Sequence, residues 1–192
     1  MKIVAINGSA RKNGNTSILI EKVFEPLQKC GFKCEQIQLA GHIVQGCRAC
    51  YKCSNKKNNH CSFESDIVNE CLDKMREADA IILGSPVYVT DVSSEMKALI
   101  DRACLVSRAN GGFLKRKIAA AVMAVRRGGA IHAFDTMNHF FTISEMIVVG
   151  SSYWNFAFGR EIGDVTRDEE GLQTMKDLGE NMAWLLKKIH GR

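Results

Sequence analysis

"KIVAINGSARKNGNTS", residues 2–17, opens the chain. The run "KIVAIN" is short, apolar and rich in β-branched side chains, the composition of a strand buried on both faces. "GSARKNGNTS" is polar and carries glycine, and "ILIEKVFEPLQKC" behind it has helical spacing. A buried strand, a polar turn and a helix begin a strand–helix–strand unit. The rest of the chain decides whether that unit repeats.

It does repeat. "KCEQIQL" alternates as a second strand, after a helix in which Pro26 is expected to cause a bend or an early end and Gly31 a stop. "DIVNECLDKMREA" predicts a helix capped by Ser65 or Asp66, with Ile67, Cys71, Met75 and Ala78 on one stripe. "DAIILGSP" is a third strand, followed by a helix over about 93–108. "KIAAAVMAV" is a fourth, and "RRGGAIHAF" opens a helix reaching about residue 144. "EMIVVG" is a fifth. After "SSYWNFAFG", Leu172, Met175, Leu178, Met182, Leu185 and Ile189 mark a last amphipathic helix.

Five buried strands alternating with helices predict an α/β fold, a doubly wound parallel sheet covered on both faces. The five-stranded version of that fold is flavodoxin-like, with order 2-1-3-4-5. No repeat, low-complexity tract or linker interrupts residues 1–192, so one domain is expected. A long irregular loop at about 40–65 is inserted after strand two.

The composition is ordinary: 46% hydrophobic, 24% charged, two prolines. A net charge of +5 with no basic run among aromatics argues against nucleic acid. "IVAI" is too short for a signal peptide and "IAAAVMAV" too short for a membrane span, which places the expected location in the cytoplasm. Thiols stay reduced there, so eight cysteines suggest metal or redox chemistry before disulfides. Cys30, Cys34, Cys71 and Cys104 are scattered and read as small buried residues. Cys47, Cys50, Cys53 and Cys61 are clustered.

Ligands of open parallel sheets bind at the carboxyl ends of strands. The loop after the first strand lacks the G-x-G-x-x-G and Gly-Lys-Ser/Thr signatures. It offers Ser9, Asn13, Asn15, Thr16 and Ser17 with Arg11 among them, directly before a helix start. Free amides and polar donors there suit a compact phosphate, whereas a simple helix cap would use one or two of these residues. The loop after the third strand, "GSPVYVTDVSSEMK", presents Pro86, Val87 and Tyr88 as a rigid surface for a planar ring. The loop after the fourth carries Arg126 and Arg127 before two glycines that permit close backbone approach. Either loop alone is also an ordinary strand-to-helix turn.

Together, "GSARKNGNTS", "GSPVYVTDVSSEMKALIDR" and the glycine pair resemble the NADPH-dependent FMN reductase family over residues 1 to about 150. That resemblance implies a flavodoxin-like fold and bound FMN. It implies phosphate contacts from Ser9, Arg11, Asn15, Thr16 and Ser17. It implies ring contacts from Pro86, Val87, Tyr88 and Val89, and closure by Arg127, Gly128 and Gly129. Relatives carry a longer, glycine-rich third loop where this chain has Arg126-Arg127.

The clustered cysteines form C-x2-C-x2-C-x7-C, in a loop of about 25 residues, a length usually functional or disordered. Three thiolates at successive x2 spacings suit three corners of a [4Fe–4S] cubane, with Cys61 returning to the fourth iron across "SNKKNNH". Structural zinc favours two separated C-x2-C knuckles. Free thiols, or a redox disulfide between Cys50 and Cys53, are further alternatives. His60 reads as a loop residue rather than a ligand.

A flavodoxin-like FMN protein with this motif resembles the iron–sulfur flavoprotein family, which implies Cys47, Cys50, Cys53 and Cys61 as cluster ligands. It also implies a homo-oligomer, a homodimer or homotetramer. The expected function is an oxidoreductase taking electrons from a ferredoxin-like donor, through the cluster to FMN, to a small-molecule acceptor. Lysines in "SNKKNNH" are candidates for docking the donor, or a solvated loop. No acid–base pair stands out. A cluster-free NAD(P)H-dependent FMN or quinone reductase and a zinc-stapled FMN-binding regulatory module are the rivals.

Overall fold

The computed structural model describes residues 1–191. In chain order the elements are β1 (Lys2–Asn7), α1 (Asn15–Lys29), β2 (Lys33–Gln38), α2 (Lys52–Lys56), α3 (Val68–Glu77) and β3 (Ala80–Pro86). They continue with α4 (Ser94–Ala109), β4 (Ile118–Val125), α5 (Ala130–Ile143), β5 (Ile147–Val148), β6 (Phe156–Phe158), a 3-10 turn (Asp164–Arg167) and α6 (Glu169–Ile189). The sheet is parallel throughout, in the order β2-β1-β3-β4-β5, with β6 also on β4. This is the flavodoxin-like order expected from the sequence.

The fifth position of the sheet differs from a single strand. β5 pairs only Ile118 and Ala119 at the start of β4, and β6 pairs Met123, Ala124 and Val125 at its end. Residues 149–155, "VGSSYWN", separate them. The Ser151 hydroxyl turns back to the Tyr153 carbonyl and the Asn155 side chain, both at 2.6 Å, a local alternative to ladder pairing. The break brings residues 159–161 to the carboxyl end of the sheet.

Every residue of β4 is buried, as a central parallel strand requires. One apolar core packs α3, α4 and α5 on one face; the other packs α1 and α6. Pro26 does not shorten α1, which runs on to Lys29. It lies instead where α6 crosses closest: a Cβ at Gly179 would sit 2.3 Å from the Val23 carbonyl oxygen and 2.5 Å from Pro26 Cγ. Ser93 caps α4, accepting from the Met96 amide, and its own amide donates to Ser85 Oγ at 2.9 Å.

The scattered cysteines are less uniformly buried than expected. Cys71 is buried on α3, while Cys30, Cys34 and Cys104 are half-exposed at element ends and helix flanks. Among the described residues no helix is long and apolar enough to cross a membrane.

Candidate functional site

A cavity of about 420 Å³ opens at the carboxyl ends of β1, β3 and β4. From the first loop it is lined by Ser9, Arg11, Asn15 and Thr16; from the second by Pro86, Val87 and Tyr88; from the end of β4 by Ala124 and Arg126. The start of α1 faces it with no side chain capping the helix. Thr16 lies in that first turn, 1% exposed, and its hydroxyl has no hydrogen-bond partner. A buried hydroxyl is ordinarily paired, so this one, beside uncapped helix amides, fits an anionic oxygen. A phosphate monoester is thus compatible with the residues present.

The other polar residues of the first loop hold its shape. Ser9 Oγ accepts from the Arg11 amide at 3.1 Å, and Ser17 Oγ accepts from Gln36 Nε2 at 2.9 Å. Asn13 is exposed at φ 54°. Asn15 donates to the Glu161 carbonyl at 2.9 Å and accepts from the Gly163 amide at 2.8 Å. Arg11 donates to the Arg160 carbonyl at 3.0 Å. Asn13 and Ser17 are not among the residues lining the cavity, and neither are Val89, Arg127, Gly128 and Gly129.

The second and third loops lean on each other. Tyr88 and Asp91 exchange backbone hydrogen bonds of 2.8 and 3.0 Å around a turn holding Val89 at φ 49° and Thr90 at φ 65°. Left-handed geometry at two β-branched residues is strained. Gly129, at φ 84°, packs against that turn: a Cβ there would lie 2.9 Å from Thr90 Cα.

The sequence reading missed Gly159, Arg160 and Glu161, which close the far side of the cavity. Gly159 donates to the Val125 carbonyl at 2.8 Å, and a Cβ on it would meet Val165 N at 2.8 Å and Asn15 Nδ2 at 2.9 Å. Asp164 accepts from the Glu161 and Arg160 amides, bonds that hold its carboxyl below the usual range, the Glu161 amide foremost. Treating "FAF" as a strand would have marked "GRE" as one more strand-end loop.

A second cavity, of about 150 Å³, is lined by all four clustered cysteines together with Arg102 and Phe63. Cys47 and Cys50 are exposed, Cys53 is buried on α2, and Cys61 is half-buried. Ala49 and Tyr51 hold left-handed conformations at φ 49° and 54°, which alternate with the cysteines and bend the loop tightly. Asn69 grips Cys61 from both sides, its Oδ1 accepting the amide at 2.8 Å and its Nδ2 donating to the carbonyl at 3.0 Å.

Arg102 is buried under this loop and donates to Cys61 Sγ at 3.3 Å, to the Gln45 and Phe63 carbonyls, and to Asp66. The Ser62 hydroxyl, then the Lys52 amide, push the Cys50 thiol below its ordinary value. His60 turns away to Asp73 at 3.0 Å. The thiols share one cavity, but among the described residues no three His, Cys, Asp or Glu side chains converge as an ion-holding group. Four soft sulfur donors with a cationic donor beside them are the ligand type that iron–sulfur clusters and zinc accept.

The family model described as NADPH-dependent FMN reductase matches residues 1–161, ending at the last residue lining the strand-end cavity. An iron–sulfur flavoprotein of Methanocaldococcus jannaschii is 38% identical, the alignment spanning 98% of this chain and 99% of that one. One of Methanosarcina thermophila is 33% identical over 98% and 97%. The chain belongs to the NADPH-dependent FMN reductase family, among its iron–sulfur flavoproteins. Like that family, it is an oxidoreductase. The structure of RosB with a bound 8-demethyl-8-formylriboflavin-5'-phosphate intermediate superposes with TM-score 0.80 at 20% identity, covering 100% of this chain and 81% of that one. A flavodoxin from the domain Archaea gives 0.65 at 18% identity, over 97% and 99%. At these identities the likeness concerns the fold.

Proposed function

We propose that this chain passes electrons from a low-potential, ferredoxin-like carrier to a small acceptor, with FMN at the strand-end cavity and a [4Fe–4S] cluster at the four-cysteine cavity. The observation that carries this reading is the second cavity: Cys47, Cys50, Cys53 and Cys61 all line it, and a buried guanidinium donates to Cys61. When bound, a cluster supplies one-electron exchange and FMN supplies exchange of one or two electrons, which suits a converter between the two kinds of partner.

The roles of the residues follow from their placement. The Thr16 hydroxyl and the start of α1 receive the phosphate, with Ser9 and Arg11 at the same rim. Pro86, Val87 and Tyr88 lie along the ring, and Arg126 and Arg160 bring positive charge to the cavity. Asn15, Ser17 and Gly129 act one step back by holding the loops. Cys47 and Cys50 are exposed, so the metal site would lie near the surface, within reach of a carrier. Arg48 and Lys52 line that cavity, exposed Lys56 and Lys57 lie at the end of α2, and this positive charge suits an acidic carrier. Exposed Tyr153, Trp154 and Phe158 support assembly as a homodimer or homotetramer. Reduced thiols fit a cytoplasmic setting.

Anaerobic mixing tests the reading. Reduced ferredoxin should bleach the flavin absorbance in the intact protein and should do so far more slowly in a Cys50→Ala variant. Reduction by NADPH alone, at the same rate in both, would favour the cluster-free reductase. No reduction by either donor would favour the zinc-stapled module.

A further inference from the structure

Arg102 is the largest fully buried side chain among the described residues, and nothing in the flavin site uses it. It rises from the middle of α4 with its guanidinium beneath the cysteine loop. Nη1 donates to the Gln45 carbonyl at 3.1 Å and to Asp66; Nη2 donates to the Phe63 carbonyl at 2.9 Å. Asp66 also accepts from the Gln45 and Val68 amides, at 3.0 and 3.2 Å. These contacts are enough to clamp the loop to α4 and α3. Nε is aimed elsewhere, at Cys61 Sγ, 3.3 Å away. The Arg102–Asp66 pair is 1% and 0% exposed, so its field at the sulfur is little screened by solvent.

We propose that Arg102 is a positioning residue that sets the reduction potential of the four-cysteine centre through its Nε–H···Sγ bond to Cys61, with Asp66 as the opposing charge. The inference rests on the cluster reading above. One-electron reduction adds a unit of negative charge to such a centre; no bond breaks and no proton moves. An arginine stays protonated in either state, so its cation and its hydrogen bond stabilise the more negative, reduced form. The Asp66 carboxylate acts in the opposite direction from the far side of the guanidinium. The pair is therefore a dipole with its positive end towards sulfur.

The test is a potentiometric titration, followed by electron paramagnetic resonance, of protein purified without oxygen. The first variant is Arg102→Gln with Asp66→Asn, which removes both buried charges at once and leaves neither unpaired. It should make reduction at least tenfold less favourable, the lower end for loss of a charge-assisted hydrogen bond. For one electron that is a fall of about 59 mV. Asp66→Asn alone should shift the potential the other way. If the double variant keeps wild-type iron and sulfide but its potential is unchanged or higher, the inference is overturned. Loss of iron and sulfide from both variants would also overturn it, marking Arg102 as a clamp only. Wild-type protein with neither iron nor sulfide would instead remove the cluster reading itself.

Discussion

Thr16→Val changes one buried hydroxyl to a methyl and should move two measurements in opposite directions. Thr16 is 1% exposed in the first turn of α1, its Oγ1 has no partner, and its Cγ2 packs near Gly84. Valine keeps that methyl contact. In the protein without flavin, the hydroxyl is a buried polar group left unpaired, which costs about 1–3 kcal/mol. Removing it should leave the melting temperature unchanged or higher. With FMN bound, the same hydroxyl is assigned a phosphate oxygen, and a hydrogen bond to a charged group contributes about 1.5–3 kcal/mol. At 1.4 kcal/mol per tenfold, FMN should bind roughly 10- to 150-fold more weakly. Fluorescence titration of flavin-free protein measures this directly, and riboflavin is the control because it lacks the phosphate. Its affinity should be the same for both proteins. Equal losses for FMN and riboflavin would refute the phosphate assignment, as would a melting temperature that drops in the flavin-free variant.

Three further outcomes follow from the same geometry. Gly179→Ala should destabilise by about 1–3 kcal/mol, because the new Cβ would meet the Val23 carbonyl at 2.3 Å; thermal melting should show a loss of several degrees. Val89→Asn should stabilise by up to about 1 kcal/mol, read as a higher melting temperature, since Val89 is 98% exposed at φ 49° and asparagine tolerates the left-handed region. Burial, the largest cause, pushes the Cys71 thiol from 9.0 up to about 12, so its neutral form favours folding. That contribution is complete below pH 9.0 and is lost as pH rises towards about 12. Cys71→Ala should flatten the alkaline limb of a stability profile measured by denaturant unfolding, and an unchanged slope would contradict the assignment.

The sheet order was legible because β1, β3 and β4 are buried apolar runs and each crossover helix has a clear stripe. "IAAAVMAV" appears as β4 with all of its residues buried, and "SSEMKALIDRACLV" became α4 with Ser93 as its cap. The split fifth position was not legible. β5 has only two residues, and pairing resumes after seven intervening residues in a strand of three, shorter than a pattern of alternation can reveal. The strand-end loops were legible as a set, since Ser9, Arg11, Asn15, Thr16, Pro86, Val87 and Tyr88 do line one cavity. Their division of labour was not. Asn15 and Ser17 read as phosphate donors by residue type, yet their side chains are committed to residues 161, 163 and 36, distant in sequence. Arg102 illustrates the same limit. Nothing in the sequence pattern singles it out, and only the folded cysteine loop, which brings Asp66 and Cys61 to it, makes it a buried charge.

Iron, acid-labile sulfide, zinc and FMN per chain, on protein purified without oxygen, test the central claim most directly. The account predicts about four irons and four sulfides per chain, with FMN and without zinc. FMN accompanied by zinc, or by no metal and no sulfide, would contradict it.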